Sequence, residues 1–429
     1  MEPYEPDPLP PADITVDWRA LVGDEPALNA FLDELRTRGD AAADTAIASA
    51  NAMLAAAGVR FEGFEMVYRN MRSVPFGDAA CAAVEEFLAS LPTPCDWMTP
   101  HDTERAQRFF TINAVPLGLG LYCASLPEAY SDATAAAILV RPSKERRTGG
   151  ELVSRPARRA AETATVLRDL FITPPKSSDV ARPAGMSGLD EQALATLRGV
   201  RLLHAAVRAA TGPMPGRGGI EVAANQEDLL GTVLTFSASA LGACRRLGVR
   251  PSEADALAYM KMWCFIGVQL GLDEHLVAGL DDLKTATALK DAILCRRRAE
   301  TADGKLLMSA LLNGFPKVMH PIAPTLVRKL AGRQTAAAVG VRPTPVRAVI
   351  AVPAIAAMQA TGTVWRIAGR LGAGDLQAAL GRRMVDGWIR TFDGEAPAVR
   401  PSFRRLHQAR TWLAVRATAT RKSVRKQSS

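Results

Sequence analysis

Apolar residues in this chain recur three and four positions apart in long alanine-rich runs, while the apolar/polar alternation of a half-buried strand is scarce. Spacing of that kind lays side chains along one stripe of a helix, and alanine is the strongest helix former. It predicts an all-α fold. The residues are 48% hydrophobic but only 6% aromatic, so the core is built from Ala, Leu and Val rather than stacked rings. At 429 residues the chain exceeds an average domain, yet an all-helical protein of this size can be one unit. The expectation is a single mostly helical domain with N- and C-terminal extensions.

Stop and cap signals divide the helices. A helical pattern from Trp18 to about Ala56 breaks at "RTRGDAAAD", where Gly39 ends one helix and Asp40 caps the next. Further helices are expected at 77–91 and 102–111, near Ser154 onward, and at about 189–210, the last ended by Gly212, Pro213 and Pro215. Asn225 with Asp228, and Ser252 with Asp255, mark two more N-termini; Gly248 and Gly271 close those helices. "LYCASLPEAYS" leads into an expected apolar turn. "GRGG" at 216–219 and "GRLGAGD" at 369–375 follow no strand and read as turns, not phosphate loops.

The net charge of +8 is local. Eight Lys and Arg after Pro401, with no acid among them, equal the whole excess, so the body is neutral and 401–429 is a basic tail. That distribution excludes sequence-specific nucleic-acid binding as the main activity. The six cysteines lie at least fourteen residues apart with no zinc spacing, as free thiols in a reducing compartment would. The opening "MEPYEPDPLPPADI" is acidic and proline-rich; residues 1–15 read as a disordered leader with no signal peptide, and the protein as cytoplasmic. Eighteen uncharged residues, "AVIAVPAIAAMQATGTVW", lie between Arg347 and Arg366. Three readings stay open for them: ordinary core, peripheral membrane contact or a span, with Pro353, Gln359 and Gly362 weakening the last.

Two constellations carry candidate chemistry. In "VRLLHAAVR" (200–208), His204 shares a helical face with Leu197, Val200, Arg201 and Val207. Burial and the Arg201 cation should keep its imidazole neutral, the form that ligates metals. A core histidine bonded to a carbonyl is the alternative. In "RRAAETATVL" (158–167), Arg159 and Thr163 aim along an apolar stripe, where an unpaired guanidinium needs an anion. Glu162 is the alternative partner for Arg158 or Arg159. There is no HExxH and no pair of histidines at helical spacing. A lone axial histidine beside arginines suits haem, whose porphyrin supplies four ligands of its own.

In order along the chain, "LDELRTRGDAAAD" (32–44), "RFFTINAVPLGLGLYCASLPEAY" (108–130), "RRAAETATVL" (158–167), "VRLLHAAVR" (200–208), "NQEDLLGTVLTFS" (225–237) and "LGVRPSEADALAYMKMWCFIGVQLGL" (247–272) resemble the mpaB/rubber oxygenase (latex clearing protein) family of haem b enzymes. The resemblance implies a helical haem-binding domain over 16–300, a helical extension over 301–400 and the basic tail. It makes His204 the proximal ligand to haem iron and Arg201 the arginine near the haem. Arg159 and Thr163 fall on the oxygen-binding side. Dioxygen and a small apolar alkene are the implied partners, and oxidative C=C cleavage the implied reaction. Secreted latex-degrading members carry an export signal and often a lysine where this chain has Glu162. Both departures argue against polyisoprene and for a smaller apolar or prenylated substrate. Glu162 then acts either as a base or as a surface partner of Arg158, the latter being favoured. A haem sensor or carrier, and a cofactor-free membrane-surface protein, are the alternative functions.

Overall fold

The computed structural model describes residues 15–56, 86–87, 95–144, 164, 166–172, 189, 191–216, 219–315, 317–342 and 345–393. The expected helices at 77–91 and from Ser154 lie outside these residues, apart from the helical stretches 86–87, 164 and 166–171. Helices carry the rest: Trp18–Gly23 (α1), Glu25–Arg36 (α2), Ala41–Ala56 (α3), Pro100–Ile112 (α4), Ala114–Gly120 (α5), Leu126–Tyr130 (α6), Ala133–Lys144 (α7), Glu191–Thr211 (α8) and Gln226–Leu234 (α9). They continue with Ala240–Arg246 (α10), Glu253–Gln269 (α11), His275–Ala278 (α12), Leu283–Arg297 (α13), Ala302–Asn313 (α14), Ala323–Leu330 (α15), Arg333–Ala338 (α16), Pro345–Ala368 (α17) and Gly374–Asp393 (α18). The fold is all-α, as expected.

Local chemistry explains the boundaries. Asn225 and Asp228 form a reciprocal capping box on α9, Thr99 and Asp102 form one on α4 behind Pro100, and the Ser252 side chain accepts from the Asp255 N–H at the start of α11. Gly248 and Gly271 stop the chain at φ +87° and +97°, a backbone that L side chains rarely adopt. Two expectations need correction. The apolar turn after "LYCASLPEAYS" is the helix α7, started by Asp132, whose carboxylate accepts from Ala135 N–H, and held by burial of Ala136 and Val140. "GRGG" does follow a strand: Met214–Gly216 pairs antiparallel with Gly219–Glu221. That hairpin is too short to show as alternation in sequence.

The helix α11 is buried on nearly all sides, with Tyr259, Met262, Trp263 and Phe265 inside the main core. Phe109 and Phe110 of α4, with Phe171, close on it; Phe110 and Phe171 stack at 4.6 Å, and Phe109 meets Tyr259 edge-on at 5.8 Å. A second cluster joins Tyr130, Val140 and Leu247 to Leu307, Val327 and Ile355, while Val385 and Ile389 of α18 reach the main core. Residues beyond 300 therefore pack on both clusters. Two π turns, Leu121–Ser125 and Thr235–Ser239, meet where the Ser125 hydroxyl donates to the Thr235 carbonyl at 2.6 Å. No single helix among the described residues is long and apolar enough to cross a membrane.

Candidate haem-binding site

His204 lies in the C-terminal half of α8. One face of that helix, Leu202, Ala205 and Ala206, packs on Ala43, Ala46 and Ile47 of α3, and Leu194 and Leu197 enter the main core. By helical spacing His204 falls on the Leu197 side of the helix. Its Nδ1 is sealed from solvent and has no hydrogen-bond partner, although the residue as a whole keeps partial accessibility. Burial, and then the Arg208 cation, push the imidazole down to about 4, so it is neutral at physiological pH. The expected neutrality holds, but the cation that contributes to it is Arg208 rather than the expected Arg201. The physical reason is that Arg201 is already spent on a carboxylate.

That carboxylate is Asp40. Arg201 Nε and Nη2 donate to its two oxygens at 2.5 and 3.0 Å, and Asp40 also caps α3 through the Ala43 N–H at 3.2 Å. The Arg201 guanidinium lies 5.3 Å from the Phe87 ring centroid. One turn beyond His204, Arg208 donates to Asp44 at 2.7 Å and to the Ala224 carbonyl at 2.9 Å. Two ion pairs, three residues before and four after His204, thus tie its helix to the first turn of α3. Gln226 locks the surroundings: its amide donates to the Gly39 and Gly271 carbonyls at 2.8 and 2.9 Å and its oxygen accepts from Asp273 N–H. Gly271 passes so close to Asp40 that a Cβ there would collide with the carboxylate.

Sequence reasoning missed Asp40, Asp44, Arg208 and Gln226. The signal was present: two acids four apart in "RGDAAAD" face two arginines seven apart in "RLLHAAVR". Arg159, Glu162 and Thr163 lie outside the described residues. The structure brings together His204 and Arg201 from the expected set.

The described residues offer two groups that a haem could use, an imidazole and a guanidinium, each with an enclosed atom left unpartnered. An imidazole nitrogen enclosed without a partner lacks either an acceptor for its proton or a donor for its lone pair, and a metal completes the second case. Arg208 Nη2 is likewise enclosed and unpartnered one turn away, a donor suited to a carboxylate. No group of three His, Cys, Asp or Glu among the described residues could hold a metal alone. A second polar constellation has a different character. Arg36, Arg296 and Arg297 line a cleft of about 300 Å³ with Asp132, Thr134 and Glu221. Its cations are consumed by ion pairs: Arg36 with Glu221 and Glu227, Arg297 with Asp132 at 2.5 Å and Asp228 at 2.6 Å, and Arg296 with Asp33. It is a buried network joining α2, α9 and α13.

No curated protein matches the sequence. Among solved structures the chain is similar to "Structure of Latex Clearing Protein LCP in the closed state", at 18% identity and a TM-score of 0.50, covering 89% of this chain and 91% of that one. At that identity the likeness speaks for the fold. The family described as "ER-bound oxygenase mpaB/B'/Rubber oxygenase, catalytic domain" matches residues 120–374, a range that includes His204 and well over half of the sequence. The chain belongs to the mpaB/rubber oxygenase catalytic-domain family.

Proposed function

We propose that this protein is a haem b oxygenase that cleaves a C=C bond of a small apolar or prenylated substrate inside the cell. The observation that carries the reading is His204: a neutral imidazole whose enclosed Nδ1 has no partner, in a chain of an oxygenase family. The five described thiols are free, four of them buried, which supports a reducing compartment. In this reading 16–300 holds the catalytic site and 301–400 is a helical extension that packs on the same core clusters, the family match running on to residue 374.

Bound haem would supply dioxygen activation at its iron, chemistry no side chain here provides. His204 would hold that iron, and Arg208 would offer Nη2 to a carboxylate of the porphyrin. Arg201, clamped on Asp40, would fix the rotation of α8 and hence the direction of the ring. Arg159 and Thr163 would serve as the hydrogen-bond donors on the oxygen-binding side. Glu162 would pair with Arg158 on the helix surface.

The test is an absorption spectrum of the full chain after haem reconstitution, beside His204→Ala. A Soret band lost or shifted in the variant, with oxygen uptake on a prenylated alkene, supports the reading. A Soret band in the wild type without oxygen uptake on any alkene makes the protein a haem sensor or carrier. No Soret band in either refutes haem binding.

A further inference from the structure

Among the described side chains, the outward stripe of α17 is mostly apolar, with Thr361 a polar exception. Val349, Val352, Val364 and Ile367 are 75, 61, 64 and 49% exposed, and Leu371 in the following π turn is 82% exposed. A helix on the surface of a soluble protein carries its charged residues on that side. The stripe is not free to turn inward. On the opposite side Ala351 and Ile355 are buried in the second core cluster. Gln359 Nε2 donates to the Arg246 carbonyl at 2.6 Å and Trp365 Nε1 to the Ile112 carbonyl at 3.0 Å, and the Leu247 carbonyl occupies the place a Cβ on Gly362 would need. The stripe carries on into α18 through Leu376, Leu380 and Met384, one turn apart and each more than a third exposed.

Charge identifies what covers it. From Gly304 to Gly374 the sequence contains no Asp or Glu and nine Lys or Arg, a run of 71 residues with one sign of charge that includes all of α15, α16 and α17; α18, which follows, balances Asp375, Asp386 and Asp393 with Arg382, Arg383 and Arg390, so the positive setting belongs to the α17 part of the face. A second copy of the chain would bring the same positive surroundings against itself. An anionic lipid surface matches both the apolar stripe and its cationic setting. Pro353, in the middle of α17, has no N–H for the Val349 carbonyl, which favours a depth at the lipid headgroups over one in hydrocarbon.

We propose that the exposed face of α17 and α18 docks on an anionic membrane surface, lying in the interface without crossing. This stands apart from the haem reading and survives its failure.

The test is co-sedimentation of the full chain with vesicles of phosphatidylcholine alone and vesicles containing about one-third phosphatidylglycerol, expecting at least about tenfold stronger partitioning to the anionic vesicles, weakened by salt. The double variant Val364→Asp/Leu371→Asp should lose that preference, whereas Ile220→Asp, an exposed apolar site on the β-hairpin, should keep it. Thermal unfolding by circular dichroism verifies that each variant folds; if the double variant does not, Leu376→Asp applies the same test from α18. Equal partitioning to both vesicle types, or none to either, overturns the proposal. So does a dimer in sedimentation velocity that Val364→Asp/Leu371→Asp converts to monomer, which would assign the face to a second copy.

Discussion

Asp40→Asn isolates the contact that sets the direction of the His204 helix. The amide keeps the N-cap oxygen for the Ala43 N–H, so the cap contributes little to the change. What is lost is the bidentate carboxylate, leaving the Arg201 guanidinium without its counter-charge. The two side chains are 11% and 4% exposed. Removing one partner of a buried ion pair costs about 3–5 kcal/mol, and the slight opening at Arg201 places the expectation near the lower end, about 3 kcal/mol. Urea unfolding of the haem-free protein reads this directly. The cycle completed by Arg201→Leu and the double variant should return a coupling of about 2 kcal/mol or more, since the pair is direct and buried. A loss below about 1 kcal/mol for Asp40→Asn would mean the pair behaves as a surface ion pair. The clamp on α8 would then be refuted, and with it the role given to Arg201.

Gly271→Ala should cost more than Gly212→Ala, although both glycines have positive φ: the first would drive a Cβ into the Asp40 carboxylate and the second has open space around it. Expected losses are about 3 kcal/mol or more against about 1 kcal/mol, compared by thermal or urea unfolding. The haem-free protein should lose stability on mild acidification through His204. Its folded pKa of about 4 lies below the ordinary 6.5, so the unfolded chain takes up the proton first; the contribution is full above 6.5 and declines as pH falls toward 4. Between pH 6.5 and 5 the difference is about 2 kcal/mol, and it should vanish in His204→Ala when the two unfolding profiles are compared. Glu128→Gln should be tolerated within about 1 kcal/mol, because burial already raises that carboxyl and its amide can still accept from the Ser239 hydroxyl; a loss above about 3 kcal/mol in urea unfolding would show that the Lys290 ion pair dominates there.

Helix existence was legible because each signal was local. Asn225, Ser252, Gly248 and Gly271 act on neighbours within four residues, and all four behave in the structure as their types require. The failures were of another kind. In α7 an apolar run read as a turn, because the burial that keeps it helical comes from residues far along the chain, Leu307 and Met308 among them. The strand Met214–Gly216 is defined by pairing rather than pattern, and the Glu221 end of its partner strand is held by Arg36 from α2. Sequence periodicity reports a residue's own helix and is silent about the partner across it.

The same limit explains how His204 could be singled out while its environment was assigned to the wrong arginine. Helical spacing placed Arg201 and Arg208 on the histidine's side of α8 with equal claim; only tertiary contact distinguishes them. Asp40 takes both oxygens' worth of Arg201, which leaves that guanidinium little influence on the ring, and Asp40 itself slightly opposes the depression of the imidazole. Arg208 faces an Asp44 that is 37% exposed and keeps one enclosed nitrogen without a partner, so its charge is felt at His204 and its donor is available. The two arginines thus divide the work around one imidazole. The one fully paired with a buried carboxylate positions the helix, and the one left incompletely paired is the group that a carboxylate-bearing cofactor would complete.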